Sequence, residues 1–98
     1  MAVVPARRRM RLIDSHAHLQ ADAFAADADV VVAAAEQAGV ARVLDPAWDV
    51  ASCAGALDLA ARHPFIDAAV GIHPHVAAKV DGAAWATVVT LADDRRVV

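Results

Sequence analysis

Leu12-Ile13-Asp14-Ser15-His16-Ala17-His18-Leu19 is the stretch from which the rest of this chain is read. Met10 to Ile13 has the character of a short buried strand, and Asp14, Ser15, His16 and His18 form a polar run at its carboxyl end. If the extended backbone continues through the histidines, side chains two residues apart share a face, so Asp14, His16 and His18 project together from the strand tip. Two imidazoles held that way are a natural pair of metal ligands, because the neutral ring nitrogen is a good donor to zinc, manganese or iron. A bare His-x-His also fits two solvated or core-satisfied histidines. Position favours the ligand reading, since the pair follows an apolar strand and precedes a polar loop and a helix.

Outward from that point, the chain repeats strand and helix. Gln20 to Ala28 reads as a loop entering a helix with Asp27 or Asp29 near its amino end, where a carboxylate favours the helix dipole. Val31, Ala34, Ala35 and Ala38 recur at helical spacing, and Gly39 is a left-handed cap. Val40 to Leu44 is a second strand, broken by the loop Asp45-Pro46-Ala47-Trp48-Asp49. A second helix is expected over Val50 to Arg62, capped by Asp49 or Ser52, with Ala54, Leu57 and Ala61 on one face and His63-Pro64 ending it. Ile66 to Gly71 is a third strand with His73 and His75 at its carboxyl end. A third helix over Gly82 to Ala92 is expected to bury Trp85, Val88, Val89 and Ala92, and Arg95 to Val98 begins a fourth strand.

Strands thus start near positions 11, 40, 66 and 96, intervals of about 26 to 30 residues. That alternation makes βαβ units with parallel strands and right-handed crossovers, an α/β fold. No G-x-G-x-x-G follows the first strand, which weakens a dinucleotide-binding reading. The histidines instead gather at strand carboxyl ends, the face that carries chemistry in (β/α)8 barrels. Such a barrel needs eight strands and about 250 residues. The expectation is therefore a partial TIM (β/α)8 barrel, about three βα units plus the start of strand four.

The chain has 98 residues, is 59% hydrophobic, and contains two Phe, two Trp and no Tyr, which suits helices packed on a sheet better than an aromatic-rich sandwich. A net charge of −3 leaves no broad basic footprint for nucleic acid, so an activity on DNA would rest on a metal and a few local contacts. Cys53 is the only cysteine, a small apolar helix residue; no intramolecular disulfide is possible, and a reducing, cytoplasmic setting fits. Residues 1–9, with Arg7-Arg8-Arg9, read as a flexible basic extension without the apolar core of a signal peptide, and no run is long enough to span a membrane.

Ile13-Asp14-Ser15-His16-Ala17-His18-Leu19, Ala38-Gly39-Val40 and Ala69-Val70-Gly71-Ile72-His73-Pro74-His75 together resemble the amino-terminal part of the TatD family, metal-dependent hydrolases of which many are deoxyribonucleases. The resemblance covers roughly residues 10–98. It implies that His16 and His18 ligate a divalent metal (Mg, Mn or Zn), that Asp14 orients His16 or a metal-bound water, and that His73 or His75 meets the phosphate of DNA or another phosphodiester, or moves a proton. His63 is expected to be structural, Trp48 to pack at the rim of the cleft, and Asp45 and Asp49 to be turn and cap residues. In the family's pattern a further glutamate, two histidines and an aspartate follow from strand four onward, beyond Val98. The chain is accordingly expected to be a truncated barrel, of doubtful activity alone and marginal, aggregation-prone, or completed by the missing remainder or by self-association. The competing readings are another amidohydrolase-like hydrolase and a non-catalytic fragment or assembly segment.

Overall fold

A computed structural model describes residues 10–98. The expected basic extension over residues 1–9 lies outside the described residues. Three strands, β1 (Leu12–Asp14), β2 (Val40–Pro46) and β3 (Ile66–Ala69), form one parallel sheet in the order β1-β2-β3. Helices α1 (Ala28–Ala38) and α2 (Val50–Arg62) make the two crossovers, and α3 (Gly82–Leu91) follows β3. Short 3₁₀ turns cover Asp22–Phe24 and Pro74–Lys79. The expected fourth strand is present as its first contact. Val97 bridges Ala68 in parallel, with Ala68 N–H donating to the Arg96 carbonyl at 3.0 Å.

Local chemistry sets the element ends. Asp49 and Ser52 form a reciprocal capping box at the start of α2, each side chain accepting from the other's backbone N–H. Asp81 caps α3 by accepting from Ala84 N–H at 2.8 Å. Gly39 ends α1 at φ 107°, and a Cβ there would stand 2.9 Å from the Met10 carbonyl. Only glycine both takes that conformation and lets the incoming β1 backbone pass so close. Leu12 N–H then donates to the Gly39 carbonyl at 3.0 Å, which starts the β1-β2 pairing.

The core lies between α2 and the sheet. Ala56, Leu57, Leu59 and Ala60 pack with Val43, Ile66 and Ala68, and Val32 of α1 joins them. The helix faces differ in phase from those expected. In α2, Ala54 and Ala61 are exposed, and the inward stripe runs through Cys53, Ala56, Leu57 and Ala60. Alanines at several overlapping helical spacings do not choose a face; the two leucines, which bury far more apolar surface, do. In α1, Ala34 and Ala38 are exposed and Ala28, Val31, Val32 and Ala35 turn inward. In α3 only Val88 is buried, while Trp85 is 55% exposed and Val89 and Ala92 also face outward. This helix is apolar on two sides, and one side has no neighbour among the described residues. β1 shares that condition: its outer edge is unpaired there, and Ile13 is 72% exposed.

His63 has the structural role expected of it. Its Nε2 lies 2.8 Å from an Asp29 carboxylate oxygen, tying the end of α2 to the start of α1 alongside an Arg62–Asp29 ion pair. The His63 contact first, then the Arg62 guanidinium, hold the Asp29 carboxyl below its ordinary range.

Candidate functional site

Because the three strands run parallel, the segments that leave their carboxyl ends meet on one rim. Regular β1 pairing stops at Asp14, short of the histidines, yet Ala17 N–H still donates to the Leu44 carbonyl at 3.1 Å. His16 and His18 therefore stay registered against β2. Their Nε2 atoms face each other at 3.1 Å with the rings edge-on. Two imidazole nitrogens about 2.1 Å from one ion, at angles of roughly 90–110°, would be separated by about 3.0–3.4 Å. The pair has the spacing of two adjacent ligands on a common cation.

The His18 ring is oriented by its surroundings. Its Nδ1 lies 2.7 Å from the Pro46 carbonyl, an oxygen that can only accept, so Nδ1 carries the proton and the Nε2 lone pair is turned toward His16 Nε2, from which it accepts. Trp48 packs edge-on against the same ring at 5.2 Å between centroids. Asp14 works on the backbone: its carboxylate accepts from the His16 amide N–H at 3.1 Å and so shapes the bend that carries the rings. Among the described residues, no group of three or more histidine, cysteine, aspartate or glutamate side chains converges as a metal site.

His73 and His75 come to the same rim from the segment after β3. His73 N–H donates to the Trp48 carbonyl at 2.8 Å, locking the two loops together. A cleft of about 350 Å³ opens between them, lined by His18, Ala21, Trp48, His73, His75 and Val76. The rim role expected of Trp48 thus coincides with a wall of the cleft. Cys53, buried and unpaired, also ties α2 to this segment through an Sγ contact of 3.7 Å to the Gly71 carbonyl. Burial pushes its thiol up, so it stays protonated and inert.

Asp45 was expected as a turn residue, and the structure corrects this. β2 runs on through Pro46, which puts the Asp45 side chain inside the fold with 0% exposure. One carboxylate oxygen accepts from Leu19 N–H at 3.2 Å, immediately after His18; the other has no partner, and neither has Gln20 Oε1. Burial pushes the carboxyl up to about 6, against the opposing pull of the Leu19 N–H, Gln20 and His18. Gln20 donates to the carbonyls of Pro46 at 3.4 Å and Ser52 at 3.3 Å, fastening the loop after His18 onto α2. Asp45, Gln20 and the Pro46 carbonyl are thus the supports of the histidine loop. The one sequence signal for them was a carboxylate directly before a proline at a strand end.

Gly55 makes room for this arrangement, since a Cβ there would lie 2.8 Å from Gln20 Cβ. Gly55→Ala should destabilise the chain by about 1–3 kcal/mol, although alanine favours helix by about 1 kcal/mol, because the overlap involves a rigid side-chain root. Urea unfolding followed by circular dichroism checks the sign; a gain in stability would show that the contact relaxes freely.

Residues 13–98 match the family of TatD-related DNases. The chain belongs to the TatD family. It is 36% identical over 64 residues to the uncharacterized metal-dependent hydrolase YjjV of Escherichia coli K12, a stretch that is 65% of this chain and 25% of that protein. It is 33% identical over 88 residues to the 3'-5' ssDNA/RNA exonuclease TatD of Erwinia tasmaniensis, covering 89% of this chain and 34% of that protein. The crystal structure of the TatD homologue YjjV from E. coli K12 superposes with a TM-score of 0.80 at 30% identity, over 90% of this chain and 35% of that one. This TatD chain therefore spans about a quarter to a third of the length of the relatives it matches, and its sheet and helices correspond to part of their barrel. Among the described residues, no helix is long and apolar enough to cross a membrane.

Proposed function

We propose that this chain carries the first metal-binding strand and part of the substrate cleft of a divalent-metal-dependent phosphodiesterase acting on DNA or a related nucleic acid. The carrying observation is the pair of Nε2 atoms of His16 and His18, 3.1 Å apart, with the His18 lone pair placed on Nε2 by the Nδ1–H bond to the Pro46 carbonyl. The name of the Erwinia relative, an exonuclease on single-stranded DNA and RNA, supports the substrate class. In this reading His16 and His18 ligate the ion, Asp14 sets the bend between them, and His73 and His75 face the substrate across the cleft. When bound, the cation, Mg, Mn or Zn, supplies an activated water and a charge for the phosphoryl oxygen.

Two imidazoles do not complete a catalytic ion's protein ligands, which normally number at least three. The reading therefore assigns the remaining ligands, and full activity, to further barrel units that would also cover the open edge of β1 and the outer side of α3. With a net charge of −3 the chain offers little non-specific phosphate attraction, so substrate is held locally at the cleft. A cytoplasmic location accords with the single unpaired Cys53.

The test is Mn²⁺ binding by the chain, measured by calorimetry, against His16→Ala/His18→Ala. Affinity should fall at least about tenfold in the double variant. Equal binding by the two proteins would remove the ligand assignment.

A further inference from the structure

The cleft is lined by two histidines whose rings the backbone holds in opposite states. His18 Nδ1 donates to the Pro46 carbonyl at 2.7 Å, which leaves Nε2 as a lone pair. His73 is the reverse: its Nδ1 accepts from the His75 backbone N–H at 3.1 Å, so the neutral ring carries its proton on Nε2. Both rings line the same cleft, with the His75 ring tilted against that of His73 at 4.4 Å between centroids. A second bond holds the His73 backbone, through its amide to the Trp48 carbonyl at 2.8 Å, so the residue is fixed at both main chain and ring.

We infer that His73 is the cleft's hydrogen-bond donor to an anionic phosphoryl oxygen of the substrate, through Nε2–H, and that it is neither a general base nor a metal ligand. The inference rests on the phosphodiesterase reading above and goes further by dividing the work between His73 and His75. A base or a ligand needs a free lone pair. The His73 lone pair is engaged by the His75 amide, and the other nitrogen already holds a proton. A donor at that position suits a negatively charged oxygen, because a charge-assisted bond is stronger than a neutral one. His75 has no such restraint on its ring among the described contacts; it buttresses His73 and supplies the amide that sets its tautomer.

The experiment uses the metal-free 98-residue chain with nitrogen-labelled histidines at mildly alkaline pH. Long-range proton–nitrogen spectra should show His18 as the Nδ1–H tautomer and His73 as the Nε2–H tautomer. Inorganic phosphate is then titrated in, followed by the Trp48 indole resonance, for the wild type, His73→Gln and His73→Asn. Glutamine places an amide N–H near the Nε2 position, whereas asparagine keeps an acceptor for the His75 amide but, one methylene shorter, does not bring its own N–H to the Nε2 position. Phosphate affinity should therefore stay close to wild type in His73→Gln and fall about tenfold in His73→Asn, with unchanged circular dichroism. A His73 ring protonated at Nδ1, equal phosphate affinity in all three proteins, or no saturable phosphate response in the wild type would overturn the inference. Failure of the metal reading is separate and shows in the Mn²⁺ measurement in phosphate-free buffer.

Discussion

Leu59→Ala is expected to lose about 2–5 kcal/mol of unfolding free energy, enough to leave much of the chain unfolded without denaturant. Leu59 is 2% exposed and sits where α2 meets the sheet, in a core otherwise built largely of alanine and valine. Few neighbours there are large enough to move into the space a leucine would leave, so the cavity persists and adds to the lost transfer free energy. A small domain with an unpaired β1 edge and an outward-facing Trp85 has little stability in reserve. Urea titration by circular dichroism measures the loss, and Ala61→Ser serves as the control, since Ala61 is on the exposed side of α2. The control should change stability by less than about 0.5 kcal/mol. A loss below about 1 kcal/mol at Leu59 would mean that the core is not organised around α2.

The second large effect concerns Asp45 and pH. Its carboxyl is raised from 3.8 to about 6 in the folded chain, mainly by burial. Between those values the folded state binds more protons than the unfolded state, so stability falls as pH rises through the window and stays reduced above it. A shift of that size corresponds to at most about 3 kcal/mol. Asp45→Asn keeps an oxygen for the Leu19 N–H, carries no charge at any pH, and brings an amide N–H beside Gln20, whose buried Oε1 lacks a partner. The variant should match the wild type near about pH 4 and exceed it by up to about 3 kcal/mol near about pH 7. Urea unfolding across that range with metal chelated checks it; parallel pH curves for the two proteins would show that Asp45 is not the titrating group.

Much of this chain was legible from local signals. The positions of the three strands, the span of α2, the caps at Gly39 and Asp49 and the gathering of His16, His18, His73 and His75 at strand carboxyl ends all follow from turn chemistry and from the βαβ interval. These are short-range effects, set by a residue and its near neighbours. The helix faces were not legible in the same way. Alanine-rich helices satisfy several apolar phases at once, and only contact with Val43, Ile66 and Ala68 selects the one that is buried. Trp85 and Val89 were expected inside because they are apolar, but a side chain is buried only where something packs on it.

The supports of the site belong to the same class. Sequence determined that two histidine pairs would stand on the same rim, at the carboxyl ends of β1 and β3 on either side of β2, because strands joined by helical crossovers run parallel. Tertiary structure alone decided what holds each ring. Asp45, Pro46 and Gln20 lie 26 to 32 residues from their partners across the loop, as do Asp45 with Leu19, Pro46 with His18 and Gln20 with Ser52. Hydrogen bonds over such separations exist only once β1 and β2 have paired. The tautomers of His18 and His73, and with them the division between lone pair and donor, were therefore settled by the fold and not by the motif.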